Sequence, residues 1–239
     1  MNASAFLFMP FILTLGLFAA YTHNLNATWH RHHLIQVNLA NGGCITHIPE
    51  QLITGASVIN SNVLHRVNMA AGWVLLVEPQ SHFGQQLKAR LQQANGMEVA
   101  LESVINADMQ LSELTGLLKL SGNNPVATDP RIVSLLQQLD ACASGQACLQ
   151  PQHINARDVA ATLCLSESRF LHLFKAQMAT PWRPYILWHR LTCAIRALQR
   201  GDNLTMAAAI AGFADSAHLS RTFKRQFGLT PSEALHTQK

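Results

Sequence analysis

A repeat constrains this chain more than any other feature. SESRFLHLFKAQM (166–178) and DSAHLSRTFKRQF (215–227) carry one apolar pattern 49 residues apart, with Ser166, Phe170, Phe174, Lys175 and Met178 matching Asp215, Leu219, Phe223, Lys224 and Phe227. Large apolar groups four residues apart predict a helix with one buried face. Ser166 and Asp215 are suited to cap the helices, and Gly201 and Gly228 to stop helices in this half. An alanine-rich stretch precedes each copy, VAATL in one and MAAAIA in the other. A small helix, a tight turn and a second amphipathic helix is the helix-turn-helix plan, and Gly212 suits the second turn. Two copies predict a single polypeptide with two groove-reading helices.

Charge divides the chain in the same place. Residues 1–130 hold 5 Lys and Arg against 7 Asp and Glu, and residues 131–239 hold 12 against 6, giving the chain its formal +4. The helical half therefore offers its surface to a polyanion. The stretch SGNNPVATDP (121–130) is dense in turn formers and reads as a linker. The boundaries expected are 1–125 for one domain and 131–239 for the other.

The first half reads as β. Short apolar runs, FILTLGLFAAYT, LIQVNLA, CITHI, ASVIN and WVLLVE, lie between Asn, Gly, His and Pro, the pattern of a sandwich or barrel. From Gln80 the period becomes helical, through Leu87 and Leu91 and later Leu111, Leu114, Leu117 and Leu118. The uncharged Ala3–Tyr21 segment approaches the length of a membrane span. Pro10, Thr14 and Gly16 interrupt it and no Lys or Arg precedes it, so two buried strands broken near Pro10 and Tyr21 are expected, with no membrane. Five cysteines without paired short spacings suit reduced, mostly buried thiols in a cytoplasm. Cys142 and Cys148 flank a glycine-containing turn and are read as a chance pair.

At these residues a family likeness becomes specific. AGFADSAHLSRTFKRQFGLTPSEAL strongly resembles the second helix-turn-helix of AraC/XylS-family transcription regulators, and ARDVAATLCLSESRFLHLFKAQMATPWRPYILWHRL resembles the first with the linker helix that follows. The resemblance spans roughly residues 150–236 and implies an all-α DNA-binding domain. Carried over by position, it implies base contacts from Glu167, Ser168, Leu171 and His172 on the first recognition helix, with Arg169 and Lys175 beside them. On the second it implies Ser216, Ala217, Ser220 and Arg221 at bases, with Lys224 nearer the backbone and Arg225 beside it. Leu171 and His172 stand where members often have a large polar residue or Arg, and Cys164 where many have Gly. The second helix is therefore expected to dominate base discrimination.

The first half is similar, more faintly, to the cupin-type sensor domains of the same family. ATWHRHHLIQ with NGG, and ASVINSNVLHRV, resemble the two cupin segments, and place His30, His32 and His65 at positions that bind metal in cupin enzymes. Strand alternation puts His30 and His32 on one face, with His65 able to meet them across a barrel. Gln36 stands where the glutamate ligand would be. His30, His32, Gln36 and His65 are the expected effector site, with no metal, cofactor or catalytic group assigned; a metal site, a small-molecule pocket and plain barrel-mouth histidines, His33 included, all stay open. Trp182, Tyr185 and Trp188 are expected to pack between the two helix-turn-helix subdomains rather than stack on bases, and Arg190 and Arg196 to touch phosphate or be solvated.

The fold class expected is α+β, a β-rich cupin-like domain followed by an all-α domain. The function expected is a cytoplasmic, sequence-specific transcription regulator and not an enzyme; a cupin-type metalloenzyme fused to a DNA-binding domain is the alternative. The partners expected are promoter DNA, RNA polymerase, an unknown small-molecule effector and a second copy of the chain, with residues 82–119 available for pairing.

Overall fold

The computed structural model describes residues 11–14, 16–101, 103–122, 127–143, 154–178 and 180–236 of the 239-residue chain. Pro10 and Cys148, and part of the 121–130 linker, lie outside them. Contacts divide the chain into two compact units, one built on residues 7–124 with 221–239 and the other on 125–220.

The first unit is a barrel-like antiparallel sheet with helices on one face. Strand β1 (Phe11–Thr14) turns through Gly16, at φ 81°, into the long β2 (Leu17–His30). The expected break at Tyr21 is absent: β2 runs through that residue because its ladder with β7 (His65–Val77) continues from Leu17–Val77 to His30–His65. Register shifts once, between Ala27 and His30, so Thr28 and Trp29 fall outside the ladder. The other edge of β7 is shared. Strand β3 (Ile35–Leu39) pairs with Trp73–Val77 and β4 (Cys44–Ile48) with Arg66–Met69. Gly72 sits at the changeover, where a Cβ would collide with the Leu39 carbonyl oxygen. Strand β5 (Gln51–Thr54) pairs with β4, while β6 (Ser57–Ile59) joins β3 to β8 (Gly96–Glu98), a short strand the sequence pattern did not announce.

Alternation along β3 decides what each face holds. Ile35, Val37 and Leu39 join Leu17, Trp73, Leu75 and Val77 in a core closed by Leu87 and Leu91 of α1 (His82–Leu91) and Leu114 of α2 (Leu111–Leu117). Each such side chain withdrawn from water contributes about 1.5–3 kcal/mol. The intervening Gln36 and Asn38 point the other way and are equally buried. Ser81 caps α1, accepting from the Gly84 N–H, and Gln110 with Glu113 closes a capping box on α2.

The helical region comprises α3 (Pro130–Ala143), α4 (Ala156–Thr162), α5 (Glu167–Met178), α6 (Trp182–Gln199), α7 (Leu204–Ile210), α8 (Ser216–Phe227) and α9 (Pro231–His236). Phe170 and Phe174 of α5 meet Trp182 of α6 edge-on at 5.1 and 4.9 Å, and Tyr185 closes on Phe174 at 5.1 Å. Trp182, Tyr185 and Trp188 are buried, and the first two pack on α5. His189 ties α6 to α3 through a 2.7 Å bond between Nε2 and the Leu139 carbonyl. Among the described cysteines, Cys44 is buried, Cys193 half-buried and Cys164 exposed, so the expectation of mostly buried thiols fails at Cys164.

Candidate nucleic-acid interface and histidine site

The repeat extends to its caps. Asn155 and Asn203, 48 residues apart, cap α4 and α7 by accepting from the Asp158 and Met206 N–H groups. Ser166 and Asp215, 49 apart, accept from the Arg169 and His218 N–H groups at 3.3 and 2.5 Å. The second turn is therefore one residue longer. Gly212 supplies its left-handed residue at φ 71°; in the first turn Cys164 adopts φ 54°, a conformation that strains a residue with a Cβ.

Helices α5 and α8 each bury one face and bare the other. Phe170, Phe174 and Met178 are buried on α5, while Glu167, Ser168, Arg169, Leu171, His172 and Lys175 are exposed. On α8, Leu219 and Phe223 are buried, and Ala217, Arg221, Lys224 and Arg225 are exposed. Ser216 and Ser220 are half-buried, and the Ser220 hydroxyl is spent on the Ser216 carbonyl at 2.8 Å. Arg190 is half-buried and held within the fold: its Nε donates to the Ala211 carbonyl at 2.9 Å and its guanidinium lies 4.6 Å from the Phe213 ring centroid. It braces the second turn, a role invisible in sequence because its partners lie a helix away.

The second site lies within the sheet. His30 ends β2 and is the ladder partner of His65, which begins β7, with ring centroids 4.2 Å apart. His32 does not share a strand with His30 as expected; it lies in the irregular segment before β3, its ring 5.3 Å from that of His65. All three are buried, and one ring nitrogen from each lies within 4.8 Å of the others. His33 stays outside this group, its Nε2 buried without a hydrogen-bond partner.

Hydrogen bonds fix the tautomers. The Nδ1 atoms of His30, His32 and His65 lie 2.7, 3.1 and 2.9 Å from the carbonyls of Thr28, Leu34 and Val63. A carbonyl only accepts, so each Nδ1 carries the proton. Burial, reinforced by the neighbouring imidazoles, holds the His30 pKa down to about 4 and that of His65 to about 2; burial also lowers His32. The rings are therefore neutral near pH 7 and each Nε2 bears a free lone pair. Gln36 Oε1 faces two of them, 3.0 Å from His32 Nε2 and 3.1 Å from His65 Nε2. Its amide nitrogen donates to Asn38 Oδ1 at 2.9 Å, and Asn38 donates to the Ser57 hydroxyl at 3.0 Å, which lies 2.9 Å from that of Thr46.

With the Gln36 amide turned this way, four lone-pair donors converge, the chemistry of a cation site with outer carbonyls orienting each imidazole. The same chain has a second self-consistent polarity. Hydroxyls both donate and accept, so with both amides reversed Gln36 donates its NH₂ to the histidines and needs no cation. Asn38, Thr46 and Ser57 escaped the sequence reading; the alternation of polar side chains in LIQVNLA was the available signal.

The bared and buried faces of α5 and α8 define two helix-turn-helix units, and the sheet carries a buried histidine cluster. Residues 159–237 match the family model described as "Helix-turn-helix domain", and this region is a helix-turn-helix domain of the AraC type. The probable transcriptional regulator LumQ of Photobacterium leiognathi is 30% identical over 80 residues, 33% of this chain and 32% of that protein. The uncharacterized HTH-type transcriptional regulator YidL of Escherichia coli (strain K12) is 36% identical over 85 residues, 35% of this chain and 29% of that one. The matched stretch thus spans about a third of the length of these relatives. ToxT from Vibrio cholerae O395 shares the fold at TM-score 0.50 and 11% identity, over 94% of this chain and 98% of ToxT. No helix among the described residues is long and apolar enough to cross a membrane.

Proposed function

We propose that this protein is a sequence-specific, DNA-binding transcription regulator that answers to an effector held by His30, His32, Gln36 and His65. One observation carries the reading: two capped helices present Arg169 and Lys175, and Arg221, Lys224 and Arg225, on exposed faces while their apolar faces are buried. Arginine on such a face can meet guanine through two parallel hydrogen bonds, and lysine can meet phosphate. The reading assigns no catalytic step. It includes RNA polymerase as the partner at the promoter, a cytoplasmic location, and pairing of two copies through residues 82–119.

Donor chemistry sets the effector class. Three neutral imidazoles with an amide oxygen suit a divalent late first-row transition metal, and the neutral Gln36 favours reversible over permanent binding. His30, His32 and His65 would hold the ion, Gln36 would complete the set, and no reaction on substrate is implied.

The test uses the full chain and a pool of randomised duplexes at two salt concentrations, followed by cobalt(II) titration read by visible absorption. Enrichment of a specific sequence with steep salt dependence is expected, together with a cobalt spectrum lost in the His30→Ala, His32→Ala double variant. A pool without enrichment overturns the DNA reading; a silent spectrum overturns the metal reading.

A further inference from the structure

Gly228, the first residue beyond α8, is bonded to the strand that carries His30. Its carbonyl accepts two hydrogen bonds from Thr28, from the backbone N–H at 2.9 Å and from Oγ1–H at 2.6 Å, across 200 residues of sequence. The Thr28 carbonyl in turn accepts the His30 Nδ1–H at 2.7 Å. These residues belong to one compact unit, which takes in the chain from Arg221 onward.

Two further features show that the contact is built. The register shift between Ala27 and His30 removes Thr28 from the ladder with β7, which leaves its N–H available to Gly228; bulges commonly re-aim groups beside functional sites. Gly228 also admits no side chain. A Cβ there would collide with the Thr28 carbonyl oxygen and lie 2.7 Å from His30 Nδ1. A left-handed glycine after a helix is ordinary, and φ 73° explains the residue type. It does not explain two donors from β2 or the approach of His30.

We propose that occupancy of the histidine site is transmitted to the C-terminal end of α8 through Thr28 and Gly228; this rests on the metal reading given above. Thr28 and Gly228 are positioning residues. Sharing the His30 Nε2 lone pair with a cation makes Nδ1–H a stronger donor, which firms the Thr28 carbonyl and the peptide that grips Gly228. The occupied site therefore tethers the end of α8, the helix that bears Arg221, Lys224 and Arg225. A tethered helix adapts less readily to a groove, so metal lowers DNA affinity. By linkage, DNA lowers metal affinity by the same factor.

The test uses the full chain, cobalt(II) and a duplex enriched from the randomised pool by the metal-free protein. DNA affinity is measured with and without cobalt, cobalt affinity with and without duplex, and amide hydrogen exchange over residues 225–230 with and without cobalt. Thr28→Val removes the hydroxyl donor and keeps the branched shape, while Gly228→Ala forces the contact apart. In the parent protein cobalt should weaken DNA binding at least about five-fold and slow exchange over 225–230, and both variants, still giving the cobalt spectrum, should reduce the coupling below about two-fold. If Gly228→Ala does not fold, Thr28→Val decides. A parent protein that binds cobalt with no change in DNA affinity or exchange overturns the relay and leaves the metal reading standing, as do variants with undiminished coupling. Absence of a cobalt spectrum overturns the metal reading and the relay together. Should no duplex be enriched, the DNA reading falls and exchange over 225–230 alone decides the relay.

Discussion

Arg190 reaches from α6 to cover the ring of Phe213, with 4.6 Å between guanidinium carbon and ring centroid, and donates from Nε to the carbonyl of Ala211. Both partners lie in the turn between α7 and α8, so Arg190 sets the path by which the chain enters α8. Arg190→Ala should destabilise the protein by about 1–3 kcal/mol through the lost ring contact and the orphaned carbonyl. Because the side chain is occupied within the fold, the salt dependence of DNA binding should keep its slope. Urea unfolding and affinity at three salt concentrations check this; a slope reduced by about one ion would show Arg190 at a phosphate.

The first turn carries strain that the second avoids. Cys164 stands at φ 54°, where a Cβ is crowded against the backbone, while Gly212 takes φ 71° without that cost. Cys164→Gly should raise stability by about 0.5–1 kcal/mol, the relieved strain being partly offset by the freer unfolded chain. Gly212→Ala should lower it by about 1–2 kcal/mol. Paired denaturation midpoints measure both, and a destabilised Cys164→Gly would mean that the thiol side chain matters more than the backbone.

On the recognition helices, Arg221 and His172 occupy equivalent exposed positions. Arginine can grip one guanine with two donors, and neutral histidine offers one on a shorter side chain. Arg221→Ala should cost about 1–3 kcal/mol on the preferred duplex and relax base preference at one position. His172→Ala should cost less, and Lys224→Ala should weaken binding to all sequences alike. Titrations against single-base variants at fixed salt separate the three. A larger loss of preference from His172→Ala would place discrimination on α5.

Replacing Gln36 by glutamate tests the histidine site from its fourth corner. A carboxylate adds a full charge where the amide oxygen now faces His32 and His65. Affinity for cobalt(II) should rise at least about ten-fold. The metal-free protein should lose about 1–3 kcal/mol, because the carboxylate gives up the amide donor to Asn38 and buries a charge. Equal affinities in the parent protein and the Gln36→Glu variant would exclude this position from the ligand set.

Acid should unfold the metal-free chain through its histidines of lowered pKa, His33 included. Burial holds His30 and His33 near a pKa of 4, and His65 lower still, against about 6.5 in the unfolded chain. Below 6.5 the unfolded chain binds protons that the folded protein refuses, so stability falls as pH falls. Stability should be flat above about pH 7.5 and decline from pH 6.5 toward 4, by up to about 1.4 kcal/mol per pH unit for each such group. Urea midpoints at pH 7.5, 6 and 5 in chelator provide the measurement, and a level profile would show these imidazoles to be solvated.

The two helix-turn-helix units were legible in the amino-acid order alone. Their information is local: an apolar residue every four positions, an N-cap before each helix and a glycine after the second recur within thirty residues and need no distant partner to be read. The β-rich character of the first half was equally legible from short apolar runs. The rest depends on pairing between remote segments. His30 meets His65 because β2 and β7 run antiparallel in one register, and His32 joins them from an irregular segment that alternation could not place. Gln36 was legible as a position, but its role follows from a buried chain through Asn38, Ser57 and Thr46 drawn from three strands. Gly228 was legible as a helix stop, but its contact with Thr28 was silent in sequence because a one-residue slip in a strand ladder and a hydrogen bond spanning 200 residues leave no periodic trace. Local periodicity writes itself into a chain; the register between strands is settled only when side chains compete for one interior.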